Sequence, residues 1–429
     1  MKSKNRSQDL RRIGLPALLI TVVAFAITFQ FVKPAPPKEI AIAGGAPGGA
    51  YHRWATELAK LFASEGIQAT VLETAGSMDN LERLADGRAA LGFVQSGLAA
   101  TRPPDDDRVE GLASLYLEPV WVFSRISPAP DRLNRLRGRR IAVGAPGSGT
   151  QVVARALLAD NGIDASSATL LELNSNDAAA ALLAGTADVA FIVASYRADA
   201  VDRLLRAPAV APMQLARIET YPRRHHYLKV VDLPAGVIDP ATDLPSAHVR
   251  LLATPALLAV NADLHPALRS LAMQYAHRLF HDGDLLSEPD DYPSAKGMDL
   301  PLAPEAKRFF ERGVPFLQRY LPFWAATLLD RIAVLLLPLL TLMIPLARFL
   351  PPVYRWRVRS RVFRWYEQLE AIDSDADIPG VDPQTLEDRL DRIARDIMGV
   401  PVPLSYTDEV YHLRAHIELV RRKVRGDCA

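Results

Sequence analysis

Two apolar runs constrain this chain more than any other feature. The first, Ile13 to Val32, is twenty residues interrupted weakly by Thr21, Thr28 and Gln30. At ~1.5 Å per residue it spans ~30 Å, the thickness of a bilayer's hydrocarbon core. Lys2, Lys4, Arg6, Arg11 and Arg12 precede it against Asp9 alone, so the positive-inside rule keeps residues 1–12 in the cytoplasm. A cleaved signal peptide is the competing reading. Phe31-Val32-Lys33-Pro34 offers no convincing small-residue cleavage site, which favours an uncleaved anchor over residues 13–32.

The second run, Ile332 to Ala347, has sixteen residues, ~24 Å of helix, short for a span by itself. Leu328-Leu329 and Phe349-Leu350 extend it, giving an expected transmembrane helix at 328–350. Pro338 and Pro345 are tolerable there, because neighbouring groups can satisfy the freed carbonyls. Arg348, Arg355, Arg357, Arg359, Arg361 and Arg364 follow before any acid, which places residues 353–429 in the cytoplasm. An amphipathic hairpin on the membrane surface is the alternative. Both basic clusters agree with an in–out–in topology, with both termini cytoplasmic and the main domain extracytoplasmic.

Whole-chain composition hides this. Mean hydropathy is +0.04 because two apolar segments are averaged with a polar body. Fifty basic against 49 acidic side chains leave a net charge of +1, too little excess to neutralise phosphates, which excludes a general nucleic-acid binder. The one cysteine, Cys428, excludes an intramolecular disulfide framework and a Cys-rich metal site, and it falls on the reducing side.

After a stiff Lys33–Lys38 linker, residues 39–322 alternate short apolar runs with helical patterns, the signature of parallel α/β architecture. A weak internal repeat divides this body. Ile40-Ala-Ile-Ala43 precedes Gly45-Ala-Pro-Gly48, as Arg140-Ile-Ala-Val143 precedes Gly144-Ala-Pro-Gly147, and matched glycines recur 99, 96 and 98 residues apart. Each copy reads strand, small-residue turn, helix, strand, polar turn, helix, strand. Two lobes are expected, one from residues 39–123 and 230–322, the other from 124–229. The chain would cross between them near 122–126 and 228–233.

The turns carry anion-capture chemistry. Gly44–Tyr51 and Gly144–Thr150 each join a strand to a helix N-terminus, where unpaired N–H groups face a ligand and small residues let it approach. Gly48, Gly49 and Gly147 supply backbone approach, Ser148 and Thr150 hydroxyls, and Tyr51 a phenol. Thr74–Asn80 opens another helix with Ser77 and Asn80, and Gln95 and Ser96 close the next strand, where ligand-facing side chains of α/β sheets lie. Tight structural turns and a helix-capping Ser77 are the plainer readings. Arg53, Arg125 and Arg197 stand near element ends as candidate carboxylate clamps, although two helix N-termini and several hydroxyls can hold a carboxylate without them.

These stretches, with Leu233-Pro-Ala-Gly236, His265-Pro-Ala-Leu268 and Pro315–Trp324, make the sequence resemble the TAXI solute-binding proteins (TRAP-associated extracytoplasmic immunogenic proteins). The likeness is to a subgroup with a C-terminal transmembrane segment and a cytoplasmic helical tail. It implies an α/β periplasmic-binding-protein fold, a type II-like clamshell, closing on a small organic anion such as glutamate or 2-oxoglutarate. A TRAP permease is the implied partner, and Gly48, Gly49, Tyr51, Ser77, Asn80, Gln95, Ser148 and Thr150 would line the cleft. A sensory receptor signalling through its tail is the rival function.

No enzyme and no cofactor is expected. The second turn half-resembles a Walker loop but has Gln151 after Thr150 and no lysine. His277 and His281 lack the glutamate of a zinc-protease motif. Ser148 has no nucleophile elbow. In the tail, Leu386, Leu390, Ile393 and Ile397, then Val410, Leu413, Ile417 and Val420, recur at helical spacing and predict a small helical bundle.

Overall fold

The computed structural model describes residues 15, 18–30, 34–103, 106–378, 381–399 and 407–425. The expected N-terminal segment 1–12, parts of the 13–32 run and Cys428 lie outside the described residues. Ala35–Thr327 forms one compact unit, and a second comprises Met1–Pro34 with Leu328–Ala429.

The first unit follows the repeat. Its first copy runs β1 (Glu39–Ala43), α1 (Ala50–Ser64), β2 (Gln68–Leu72), α2 (Ser77–Ala85) and β3 (Leu91–Gln95). After the long strand β4 (Val109–Ser124) comes the second copy. It contains β5 (Arg140–Ala142), α3 (Gly149–Asp160), β6 (Thr169–Leu171), α4 (Ser175–Ala184) and β7 (Val189–Val193). Then follow α5 (Asp199–Leu205), β8 (Ala211–Pro212), α6 (Thr220–Arg224), β9 (Lys229–Leu233), β10 (Val249–Asn261), α7 (Pro266–Phe280), α8 (Pro304–Arg312) and α9 (Phe316–Tyr320). In each copy the first strand pairs in parallel with the other two, as short βα turns and crossover helices demand.

All ten strands join one sheet in the order β2-β1-β3-β10-β4-β7-β5-β6, with β9 on β10 and β8 on β4. The lobes are joined by β4 and β10, antiparallel from Leu252–Val120 to Asn261–Val109. On its outer side β10 meets β9 over 249–253 and β3 over 256–260. Likewise β4 meets β7 over 120–124. Pro255 and Pro119 sit where those outer partners change. A proline lacks the N–H that a continuous ladder needs, so a break in pairing is where a central strand can hold one. Each proline carbonyl is still used: Ser96 N donates to Pro255 O at 2.9 Å, and Ala194 N to Pro119 O at 3.3 Å.

This placement corrects the expected lobe boundaries. The crossings lie at Leu117–Val120 and Ala253–Ala256, not near 122–126 and 228–233. Val231, Leu233, Val249, Leu251 and Ala253 pack with Trp121 and Phe123 in the second lobe's core. Thr254-Pro255 interrupts the apolar run of β10 at the point where its outer partner changes.

Each lobe buries both faces of its sheet. In the first, Ala55, Leu58 and Phe62 of α1 lie at helical spacing and pack with α7 on one face, and Leu81 and Leu84 of α2 cover the other. In the second, Trp121 stacks on Phe123 with centroids 5.6 Å apart. A buried cation pins α7 and α8 to β4: Arg269 reaches Glu110 at 2.6 Å, Glu305 at 3.2 Å and the Leu264 carbonyl at 2.8 Å.

The second unit is helical. α10 runs unbroken from Phe323 to Asp375, through Pro338, Pro345, Pro351 and Pro352. α11 (Pro383–Gly399) and α12 (Thr407–Arg425) follow. Leu369 and Ile372 of α10, Leu386, Leu390, Ile393 and Ile397 of α11, and Leu413 and Ile417 of α12 share one core. The expected bundle therefore has three helices. Among the described residues, no helix is long and apolar enough to cross a membrane.

Replacing Arg269 with alanine would leave the Glu305 carboxylate buried without its cation. We expect a loss of about 3–5 kcal/mol, the usual consequence of breaking one side of a buried pair. Urea unfolding followed by tryptophan fluorescence reads this directly. A loss under about 1 kcal/mol, the scale of an exposed pair, would show that water reaches these carboxylates.

Candidate functional site

The site forms where the C-terminal ends of the parallel strands and the helix N-termini of the two lobes converge, the usual ligand position in open α/β sheets. The repeat places Gly48 and Gly147 at equivalent turns with φ of +78° and +75°. This left-handed conformation suits glycine and turns the chain from strand into helix. Gly49 precedes α1 as its N-cap, and its own N–H is bonded to Ala46 O at 3.0 Å.

The lobes touch across this line. Met78 N in the first turn of α2 donates to Gly147 O at 3.3 Å. Gln95 at the end of β3 donates from Nε2 to Gly149 O at 3.1 Å. A side chain at Gly149 would collide with Gln95, so only glycine permits this approach. Ser77 lies beside these contacts, its Oγ accepting from Gln95 N at 3.1 Å. Of the sequence-predicted residues, the structure therefore brings together Ser77, Gln95 and Gly147, with Tyr51 next to Ser77.

The others are engaged elsewhere. Asn80 is fully buried, accepting from Thr74 Oγ1 and donating to Phe93 O at 2.6 Å. Ser96 turns toward the 297–299 segment, donating to Gly297 O at 2.8 Å and lying 2.9 Å from Asp299 Oδ1. Ser148 caps α3, accepting from Gln151 N at 3.2 Å while its hydroxyl donates to Ala145 O at 2.7 Å. Thr150 Oγ1 accepts from Val193 N at 3.2 Å, tying α3 to the end of β7. The arginines have partners of their own. Arg125 bonds the Leu182 and Leu183 carbonyls, Arg197 lies over Tyr196, and Arg53 over Trp54.

Sequence reasoning missed the site's central acid. Glu118, 5% exposed, sits on β4 beside the crossing at Pro119. Tyr51 OH donates to its Oε2 at 2.7 Å, and Tyr116 OH approaches Oε1 at 3.4 Å. Burial pushes the carboxyl up to about 7, although both phenols favour its charged form. Burial, with Glu118 next in effect, pushes the Tyr51 and Tyr116 phenols well above their ordinary value, so both stay protonated. The signal was present: Glu118 is the one charged residue between Gly111 and Ser124. Lys229, at the start of β9, was also missed. Burial, then Lys296, holds its ammonium below the ordinary value, and it rests 5.6 Å from the Tyr292 ring.

Glu118 makes stability depend on pH with a fixed sign. Its folded carboxyl holds a proton to about pH 7, whereas the unfolded one loses it near 4.5, so folding should weaken as pH rises through that window. The expected loss is about 3 kcal/mol, at ~1.4 kcal/mol for each tenfold change in the carboxyl's proton affinity. Glu118→Gln should remove this component and narrow the stability difference between pH 5 and pH 8. Denaturant titrations at the two pH values measure it, and an equal pH dependence in both proteins would refute the buried-acid assignment.

A sequence profile of the NMT1-like family matches residues 42–269. Among solved structures, the chain is similar to the amino acid ABC transporter substrate-binding protein AbpA from Streptococcus pneumoniae bound to L-arginine. That match has 15% identity and a TM-score of 0.38, covering 58% of this chain and 91% of that one. The periplasmic aliphatic sulphonate binding protein SsuA from Escherichia coli matches with 15% identity and a TM-score of 0.37, covering 64% and 87%. The CcmR regulatory domain from Synechocystis in complex with 2-PG matches with 15% identity and a TM-score of 0.36, covering 57% and 98%.

Proposed function

The chain belongs to the NMT1-like family, and from that premise we propose that it is a membrane-anchored receptor for a small organic anion, not an enzyme. The observation that carries this reading is the meeting of the α2 and α3 N-termini across the line between lobes, with Ser77, Gln95 and Gly147 in contact there. Helix N-termini favour negative charge through their free N–H groups and dipoles. The TAXI-like motifs point to glutamate, 2-oxoglutarate or a related carboxylate, delivered to a TRAP-type permease. Pro119 and Pro255, at the breaks in pairing, are the natural pivots for closure.

We also propose that residues 13–32 and 328–350 span an inner membrane, with the α/β unit periplasmic. Leu328, Leu329, Ile332, Val334, Leu336, Leu340, Met343, Ile344 and Phe349 of α10 are all exposed. Large apolar side chains exposed in this way are suited to lipid rather than water. The helical stretch 18–30 is equally apolar on its surface and lies against α10, with Thr21 Oγ1 3.9 Å from Met343 sulfur. A sensory role is the second reading, with the three-helix tail bundle, which has its own apolar core, as the element that would carry the signal.

The full chain in lipid nanodiscs should be stabilised by its ligand, by about 2.7 kcal/mol at a hundredfold excess over Kd. A thermal-shift screen against organic acids including glutamate and 2-oxoglutarate tests this. If no acid moves the transition, the anion-receptor reading is lost. For topology, an alkaline phosphatase fused after residue 320 should be active in cells and one fused after residue 380 inactive. The reverse pattern would reject the in–out–in arrangement.

A further inference from the structure

Four polar groups form a directional chain at the floor of the site. Gln95 N donates to Ser77 Oγ at 3.1 Å, and Ser77 is in turn hydrogen-bonded to Tyr51. Tyr51 OH donates to Glu118 Oε2 at 2.7 Å, with Tyr116 OH 3.4 Å from Oε1. A phenol has one proton to give, and an ionised carboxylate can only accept. While Glu118 is charged, Tyr51's proton is therefore held by that carboxylate, and its oxygen, already paired with Ser77, can offer a further partner only a lone pair. A ligand carboxylate placed beside it would meet that lone pair and, behind it, a second negative charge buried away from water.

We infer that Glu118 is a positioning residue for ligand binding, setting whether the Tyr51 hydroxyl donates or accepts toward the cleft, so that a carboxylate ligand is bound together with one proton. This rests on the carboxylate reading proposed above and names how the site accommodates the charge. The balance is simple. One proton leaves solvent and forms an O–H bond on Glu118, which then donates to a phenol oxygen. Tyr51's own proton turns to the ligand oxygen. The floor carries one negative charge before and after, first on Glu118 and then on the ligand.

Among the described residues, the surroundings leave no other group to play this part. From α1 comes Tyr51, and from β4 itself Tyr116; Ser77 of α2 acts through Tyr51. Opposite Glu118 on β10 stands Thr254, whose hydroxyl is given to Ser96 O at 3.0 Å. The turn after β7 brings the Ala194 N–H, bonded to Pro119 O. Arg53 and Asp284 act on Tyr116 with opposite sign, one step removed. The carboxyl's titration near 7 puts the exchange within the neutral range.

The test is calorimetric titration of the full chain in nanodiscs with L-glutamate and 2-oxoglutarate, at pH 6 and pH 8, in buffers of different ionisation enthalpy. Binding should be about tenfold tighter at pH 6, with close to one proton taken up per ligand at pH 8. Glu118→Gln mimics the protonated acid, because its amide can donate to Tyr51. It should bind at both pH values with the wild-type pH 6 affinity and no proton uptake, which a merely structural Glu118 would not produce. Proton uptake unchanged in that variant, or absent from the wild type, overturns the inference. If neither acid binds, infrared difference spectra of wild type against Glu118→Gln decide. A protonated carboxyl band that titrates near pH 7 and shifts in Tyr51→Phe supports the switch and refutes the choice of ligand. No such band at pH 6 overturns the switch itself.

Discussion

The antiparallel pairing of β4 with β10 is the constraint on which the α/β unit depends. Among the described residues, no other strand runs through both lobes; the outer partner of β10 changes at Pro255, and the pairing of β4 with β7 begins just after Pro119. At each proline the carbonyl still accepts a bond from the neighbouring segment, and Thr254 and Trp121 side chains add bonds beside it. Opposite Ala256–Leu257 and Leu258–Ala259, β4 carries an extra residue, Leu115 and Leu112, which adds local twist in the first lobe. Glu118 stands one residue from Pro119.

Duplication explains why two sets of helix N-termini meet. Each copy delivers a glycine turn and a helix start to the same edge of its half-sheet, and antiparallel joining through β4 and β10 turns those edges toward each other. Ser96 and Ala194, 98 residues apart like the repeat itself, make equivalent bonds to Pro255 and Pro119. The copies are not equal at the site, however. The first supplies Ser77 and Gln95, while the second supplies mainly backbone at Gly147 and Gly149.

The architecture was legible because its turns need particular residues. Positive φ at Gly48 and Gly147 admits few alternatives, so the repeat survived in the sequence where most side chains diverged. The side-chain chemistry was only half legible. Ser77 and Gln95 stand where the lobes meet and Asn80, Ser96, Ser148 and Thr150 point elsewhere, yet all six have hydrogen-bond partners within the protein. Sequence shows that a polar side chain stands at a strand's end, not which partner it meets. Glu118 was hidden for a different reason. It lies inside an apolar strand whose pairing across both lobes required the fold to be known.

The tail shows what separates two kinds of apolar helix. In α11 and α12 the apolar residues occupy one stripe each, and Leu390, Ile393, Leu413 and Ile417 find one another in a shared core. Their polar faces are laced by Arg421–Asp391 and Arg425–Glu387 pairs, exposed contacts worth little individually. The N-terminal half of α10 has no such division. Ile344 and Phe349, 67% and 65% exposed, project from it alongside Leu336 and Leu340. Water would leave that surface uncovered, although burial of each such side chain is worth about 1.5–3 kcal/mol. The bundle buries its own apolar stripes, whereas this stretch of α10 leaves large apolar side chains exposed.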